Sequence, residues 1–293
     1  MDECSNVQGK PRIAGTVVLY RPDGEVLENI KSYLDGVGVL YVVDNSETMH
    51  TDVVERIMQL DKVVYLPNGE NFGIARALNI AADKAMVDGY DFLLTMDQDS
   101  RAATNMVGTM LACLKEKDAA EVGIISPFHS VSFGSNQDSG TFSQEVQFVM
   151  TSGNLLNLAA YEKTGPFLDK LFIDCVDYDY CLRLTDCGFK IICANQAILH
   201  HGLGYISSFK VLHKTLTTSN HSPLRRYYNT RNRFYIWETY GATAKDFVKE
   251  DKRRFVGEIR NVLLGEKERL AKIKMMLRGY LDYRRGSFGR YGN

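Results

Sequence analysis

The stretch YDFLLTMDQDS, Tyr90 to Ser100, is apolar for most of its length and then ends in two aspartates one residue apart. Its apolar part has the length of a buried strand, and two like charges at the tip of such a strand repel each other unless a cation sits there. Upstream, IAGTVVLY (13–20), VLYVVD (39–44) and KVVYLP (62–67) are short, apolar, β-branched runs of the same kind. Between them, Val26, Leu27, Ile30 and Leu34, then Val53, Val54, Ile57 and Leu60, then Ile74, Leu78, Ala81 and Ala85 keep helical spacing. Strands alternating with helices predict βαβ units and an α/β fold, with a mostly parallel sheet and helices on both faces. Ligands of such sheets bind beyond the carboxyl ends of the strands. The polar tips therefore carry the interest: Tyr20-Arg21-Pro22, Asp44-Asn45-Ser46, Asn68-Gly69-Glu70-Asn71 and Asp97-Gln98-Asp99.

Downstream of about residue 120 the alternation weakens. VGIISPF (122–128) and EVQFVM (145–150) are expected strands on either side of a polar loop, Ser130 to Ser143. TSGNLLN holds a Gly-Asn turn, a helix is expected from near Asp177, and FKIICA (189–194) reads as a further strand with Leu199 to Gly202 just beyond it. The expected division is a catalytic domain over 1–205 and a basic helical appendage over 206–293.

Composition narrows the class. The 293 residues are 45% hydrophobic and 24% charged, which supports a sizeable core and excludes disorder of the whole chain. The net charge of −1 hides an acidic body and a basic tail, since residues 242–293 hold 14 Lys and Arg against 7 Asp and Glu. No run of 18 apolar residues occurs and the N-terminus lacks a signal-peptide pattern, so a cytoplasmic protein is expected. The six cysteines form no C-x-x-C pair and read as reduced thiols. No G-x-G-x-x-G follows a strand and no P-loop pattern occurs, which disfavours a dinucleotide site or a P-loop ATPase.

Two carboxylates spaced D-x-D can be directed at one hard cation such as Mg2+, which takes one or two protein carboxylates and completes its shell with water and phosphates. The competing reading of Asp97 and Asp99 is the start of the next helix. Asp44, with Asn45 and Ser46, can accept from a nucleobase N–H, or simply form a turn. NGENFGIARALN (68–79) joins two glycines to a helix N-terminus near Gly73 and Ile74, a favourable setting for an anion. In FIDCVDYDYCLRL, Asp179 and Arg183 stand four apart and read as a surface ion pair, Asp174 as a loop or capping residue, and Asp177 as a general base or an N-cap. His200 and His201 are metal ligands only if the fold turns them toward Asp99.

Taken in order, VVLYRP, VVDNS, NGENFGIARALNIA, LLTMDQDS, TSGNLLN, FIDCVDYDYCLRL, ILHHGLG and RRYYNTRN resemble the family 2 glycosyltransferases of the GT-A fold, in particular the rhamnosyltransferase-like branch. The resemblance implies that Tyr20, Arg21 and Asp44 hold the nucleotide, and that Asn71, Gly73 and Arg76 lie by the sugar nucleotide. It implies that Asp97 and Asp99 bind a divalent metal, Mg2+ or Mn2+, together with the donor diphosphate. His201, better spaced than His200, would assist that metal. Asp177 would be the catalytic base, although the acid that precedes it in most of the family is here Val176. Arg231, one helical turn from Tyr227 and Tyr228, could meet a departing diphosphate, or the helix could simply pack its tyrosines on the body.

The implied activity is inverting transfer of a sugar, with rhamnose leading, from a nucleoside-diphosphate donor to a hydroxyl of a saccharide or lipid-linked saccharide in cell-surface polysaccharide synthesis. A metal-dependent sugar nucleotidyltransferase and a non-catalytic sugar-nucleotide binding module are the rivals. Nucleic acid is not an expected partner. In the tail, Phe255, Ile259, Val262, Leu263, Leu270, Ile273, Leu277 and Tyr280 recur at helical spacing, which reads as packing on the protein's own body or in a homodimer, with peripheral contact on the inner face of an anionic membrane as the alternative.

Overall fold

A computed structural model describes residues 10–130, 141–201, 207–211, 214–218 and 220–292, the side chains of residues 116, 201 and 207–217 excepted. In chain order the elements are β1 (Ile13–Leu19), α1 (Val26–Leu34), β2 (Val39–Asp44), α2 (Thr51–Met58), β3 (Val63–Pro67), α3 (Ile74–Val87), β4 (Phe92–Asp97), β5 (Ser100–Ala102) and α4 (Met106–Ala112). They continue as β6 (Val122–Ser130), β7 (Ser143–Glu145), β8 (Asn154–Asn157), α5 (Leu158–Thr164), α6 (Val176–Asp186) and β9 (Lys190–His201). The last are β10 (Ser207–Val211), β11 (Lys214–Thr218), α7 (Pro223–Tyr240), α8 (Lys245–Gly265) and α9 (Arg269–Arg284). Two compact units interleave along the chain: Met1–Asn71, Ala77–Pro166 and Leu184–His201 form the first, and Phe72–Arg76, Phe167–Arg183 and Gly202–Asn293 form the second.

The first unit is built on a mixed sheet of order β3-β2-β1-β4-β8-β6-β9-β5, with β7 also paired to β9. Strands β3, β2, β1 and β4 are parallel, in the register that sets Leu19 beside Asp44 and Val18 beside Asp97. Every residue of β1 is buried, as expected of a central parallel strand covered on both faces. Val17, Leu19, Leu40, Val42 and Leu94 join Ile30 of α1, Ile57 of α2 and Met110 of α4 in one cluster. The alternate residues Val18, Tyr41, Val43 and Leu93 point the other way and are just as buried. Each such side chain contributes about 1.5–3 kcal/mol by leaving water.

Three elements differ from the sequence expectation. Asn154–Asn157 follows the turn at Gly153 as a strand, β8, inserted antiparallel between β4 and β6. Strand β9 runs on to His201 instead of stopping near Ala194, because β6 follows it through a register shift between Pro127 and Phe128. The strand expected over 145–150 is displaced to Ser143–Glu145, where the ladder with β9 ends. Most of the loop after Ser130 lies outside the described residues.

The second unit holds the antiparallel β10–β11 hairpin and the helices α7, α8 and α9. A Cβ at Gly279 of α9 would sit 2.5 Å from the Tyr227 carbonyl of α7, so the glycine is what lets these two helices approach. Trp237, Val248, Phe255 and Met276 form an apolar centre. Around it run buried charges: Arg226 bridges Glu258 and Glu266, Lys272 also binds Glu266 at 2.8 Å, and Arg233 binds Asp251 and Glu258. Thr218 of β11 donates to Glu266 as well. Buried Glu266 is tolerated in such company because its charge is paired and both of its oxygens are hydrogen-bonded.

Candidate active site

In the first unit the parallel register brings the polar tips of three strands together. Asp44 and Asp97 end the strands on either side of β1, while Tyr20 and Arg21 follow its last residue. Asp44 is buried, and its carboxylate accepts from the Tyr65 hydroxyl at 2.7 Å and from the Ser46 N–H at 2.9 Å. Burial, reinforced by the bond to Asp44 and its charge, pushes the Tyr65 hydroxyl well above its ordinary pKa, so it remains a donor. The Arg21 N–H donates to Ser46 Oγ at 2.8 Å, and the Tyr20 N–H donates to Gln98 Oε1 at 2.9 Å. The Arg21 guanidinium reaches Glu47 at 3.3 Å and lies 5.0 Å from the Tyr20 ring. Arg21 itself has φ +50°, a conformation that turns the chain sharply at the end of β1.

The D-x-D segment is pinned through its backbone. Asp97 N–H donates to Ser152 Oγ at 3.0 Å, and Ser152 Oγ donates in turn to Ser100 Oγ at 2.8 Å. Asn29 holds the Gln98 carbonyl at 3.0 Å. Asp97 is half-buried and Asp99 exposed, so two carboxylates stand at a fixed turn within reach of solvent. Asp99 is followed by β5 and not by the helix that an N-cap reading requires; α4 begins only at Met106. The register of β5 with β9 sets the backbone of His201 opposite Ser100 and His200 opposite Arg101. The side chain of His201, the candidate third metal ligand, lies outside the described residues. Among the described residues no three His, Cys, Asp or Glu side chains gather as a metal cluster. Two carboxylates are nonetheless what a hard cation takes from protein when phosphates and water supply the remainder, and Asp97 and Asp99 fit that demand.

The remaining candidates belong to other segments. Asn71 is half-buried in the loop after β3. Gly73, in the second unit, has φ +84°, and a Cβ there would lie 2.4 Å from the Phe172 carbonyl, which accepts from the Ile74 N–H at 2.8 Å. Arg76 is exposed and paired with Asp169 at 3.3 Å. Asp177 is the second residue of α6, half-buried, with Oδ1 accepting from the Tyr178 N–H at 2.9 Å. Burial, with the Asp177 charge beside it, pushes the Tyr178 hydroxyl up to about 12.

The turn before α6 is strained: Phe172, Asp174 and Cys175 have φ of 65°, 67° and 62°. Left-handed non-glycine residues cost about 1–3 kcal/mol each and persist only where their surroundings hold them. Asn232 Nδ2 supplies that hold, lying 2.8, 2.8 and 2.9 Å from the carbonyls of Leu171, Ile173 and Asp174. Arg231 is buried next to it, donating to the carbonyls of Leu171 and Gly289, with Tyr227 and Tyr228 against its guanidinium. These bonds make Arg231 a residue that holds the turn. Asp179 differs from the surface pair expected of it: its side chain is 1% exposed, bound to Arg183 at 2.9 Å and to the Tyr240 hydroxyl at 2.8 Å. Asp174 pairs with Arg225 at 2.8 Å.

Residues 24–166 match the glycosyl transferase family 2 model. The chain is a glycosyltransferase, and this segment, just under half of its length, is similar to family 2. It is 24% identical over 238 residues to the dTDP-rhamnosyl transferase RfbF of Shigella flexneri, a span of 76% of this chain and 79% of that protein. The glycosyltransferase shares its GT-A-like fold with GalNAc-T7, solved with UDP, GalNAc and Mn2+, at a TM-score of 0.55 and 13% identity over 65% of this chain and 43% of that one. It also shares it with S. aureus TarS 1-349 in complex with UDP-GlcNAc, at 0.53 and 13% over 94% and 73% of the two chains. This chain thus spans less than half the length of the GalNAc-T7 chain. Sequence pattern singles out the candidate carboxylates but passes over Tyr65, Gln98, Ser152 and Asn232. Each acts through a partner at least 21 residues away in the chain, which no local spacing signals.

Proposed function

We propose that the glycosyltransferase moves a sugar, rhamnose first among the candidates, from a nucleoside-diphosphate donor to a hydroxyl of a saccharide or lipid-linked saccharide in cell-surface polysaccharide synthesis. The observation that carries this reading is the register placing Asp44 and Asp97 on the two neighbours of β1, at the carboxyl edge where α/β sheets take nucleotides. Similarity to a dTDP-rhamnosyl transferase supports the choice of sugar and of thymine as base.

In this reading Asp44 accepts from the nucleobase N–H, and Tyr20 and Arg21 border the nucleoside. Asn71, Gly73 and Arg76 lie along the sugar nucleotide. Asp97 and Asp99, with His201, hold Mg2+ or Mn2+; a divalent cation bound there supplies positive charge to the diphosphate. Asp177 takes the proton of the acceptor hydroxyl as its oxygen attacks the anomeric carbon. One C–O bond forms, the bond from that carbon to the diphosphate oxygen breaks in line, and the nucleoside diphosphate departs with inversion at carbon.

The test is turnover of deoxythymidine-diphosphate rhamnose with a panel of saccharide acceptors, with and without Mn2+ or Mg2+. Metal-dependent release of nucleoside diphosphate, with product of inverted configuration, is expected. Release of inorganic diphosphate from a nucleoside triphosphate would instead identify a nucleotidyltransferase, and donor binding without turnover on any acceptor a binding module.

A further inference from the structure

The outward faces of α8 and α9 carry a feature that the transfer reaction does not use. On α8, Val256 and Leu263 are 66% and 51% exposed, seven residues apart, and Lys249, Lys252, Arg253 and Arg260 on the same side of the helix are exposed too. On α9, Leu270, Leu277 and Leu281 are 89%, 60% and 46% exposed and repeat along one face beside Lys274 and Arg284. Four acids of this region turn inward, Asp251, Glu258, Glu266 and Asp282 binding Arg233, Arg226, Lys272 and Tyr227, while Asp246, Glu250 and Glu268 stay toward the surface and Glu250 pairs with Arg253 and Arg254. Exposed cations still outnumber exposed acids on these helices and stand beside the leucines.

That surface opens into a cavity of about 450 Å3, walled by Phe234 of α7, Phe255 and Ile259 of α8, and Ile273, Met276 and Leu277 of α9. Leu277 belongs to both the wall and the exposed row, so the mouth lies on the leucine face. The volume falls within the roughly 300–1,000 Å3 of ligand sites, yet the walls offer little beyond carbon, so they suit a hydrocarbon chain and not a sugar or nucleotide. Two cationic rows flanking exposed leucines match a surface of anionic phosphates over an apolar layer. A second copy docking through the same face would bring like charges together, which disfavours that occupant.

We infer that α8 and α9 bind an anionic phospholipid bilayer, with Leu263, Leu270, Leu277 and Leu281 entering the acyl layer, the flanking Lys and Arg on head-group phosphates, and one acyl chain in the cavity. No helix among the described residues is long and apolar enough to cross a membrane, so the contact is one of lying on the surface. The inference stands apart from the choice of donor and acceptor.

The chain contains one tryptophan, Trp237, and it lies directly behind the cavity wall, its ring 4.7 Å from Phe234 and 5.4 Å from Phe255. The test mixes the full chain with phosphatidylglycerol vesicles whose acyl chains carry bromine, a short-range quencher, and with unbrominated phosphatidylglycerol and phosphatidylcholine vesicles. Cosedimentation with the anionic vesicles, weakened by salt, together with loss of Trp237 emission only where bromine is present, is the expected result. Leu270→Glu should weaken vesicle binding about tenfold or more with the melting temperature unchanged. Failure to cosediment, or vesicle binding untouched by Leu270→Glu, overturns the surface. Binding without bromine quenching overturns the cavity as an acyl site. A dimer in light scattering that Leu270→Glu dissociates would assign the face to a second copy and overturn the inference.

Discussion

Buried or half-buried carboxylates occur in both compact units, and their partners separate them into two kinds. In the second unit Glu266 is neutralised by Arg226 and Lys272, and Asp179 by Arg183. At the strand tips of the first unit, the Asp44 carboxylate accepts from a tyrosine hydroxyl and a backbone N–H. Neutral donors fix a carboxylate's direction without cancelling its charge. A cation cancels it and leaves little for a ligand. The contrast separates acids neutralised within the fold from one whose direction is fixed by neutral donors, something that residue type and burial alone do not reveal.

Helix α6 carries Asp179, paired with Arg183, two residues from Asp177, the proposed base, which gives the sharpest way to break the contrast. Asp177→Asn is expected to lower kcat by about 10²–10⁴-fold while leaving donor binding and melting temperature close to wild type. Near wild-type turnover on a defined acceptor would remove Asp177 from the chemistry. Next in size, Glu266→Ala strands Arg226 and Lys272 among buried groups and should cost about 3–5 kcal/mol of stability by denaturant titration. A loss well below that would mean the cations find water once the acid is gone, and the assignment of Glu266 to folding would fail.

These assignments rest on features of unequal visibility in the sequence. Strands β1 to β4 were legible because buried parallel strands are continuous apolar runs ending in polar tips, and the D-x-D, Asp44 and Asp177 stand where such tips or helix starts fall. Strand β8 was not, since four residues, Asn-Leu-Leu-Asn, after a glycine turn carry no period of their own and become a strand only between β4 and β6. Asp179 and Arg183 show the limit from the other side. Their spacing of four identifies the pair correctly but cannot see Tyr240, 61 residues on, which buries it. Nor does the basic composition of the tail reveal that Asp251, Glu258, Glu266 and Asp282 turn inward. Burial and partnership are decided by chain segments that meet only in the fold.

Tyr65 tests whether a neutral donor tunes the acid it holds. With its hydroxyl on one Asp44 oxygen and the Ser46 N–H on the other, the carboxylate plane is fixed. Hydrogen bonds to charged groups are worth about 1.5–3 kcal/mol, so Tyr65→Phe should weaken donor nucleotide binding about ten- to hundredfold, measured calorimetrically, with kcat at saturating donor little changed. Unchanged affinity would mean that Asp44 keeps its direction without Tyr65 or does not meet the nucleobase.

The smallest expected effect is on the pH dependence of folding. Burial alone would raise the Glu266 carboxyl, but the hydrogen bonds from Lys272 and Thr218 and the charges of Arg226 and Lys272 outweigh it and hold the pKa below the ordinary 4.5. A carboxyl depressed in the folded state binds its proton more readily once unfolded. Its stabilisation is therefore fully present above the unfolded value and is lost as pH falls through 4.5 toward the folded one. Thr218→Val removes one of the depressing bonds at nearly constant shape, which moves the folded pKa back toward the unfolded one. The variant should start less stable at neutral pH and lose less on acidification, so melting curves of the two proteins should converge below the ordinary carboxyl range. Parallel curves would show that the hydroxyl does not set the Glu266 titration and that the cations alone govern it.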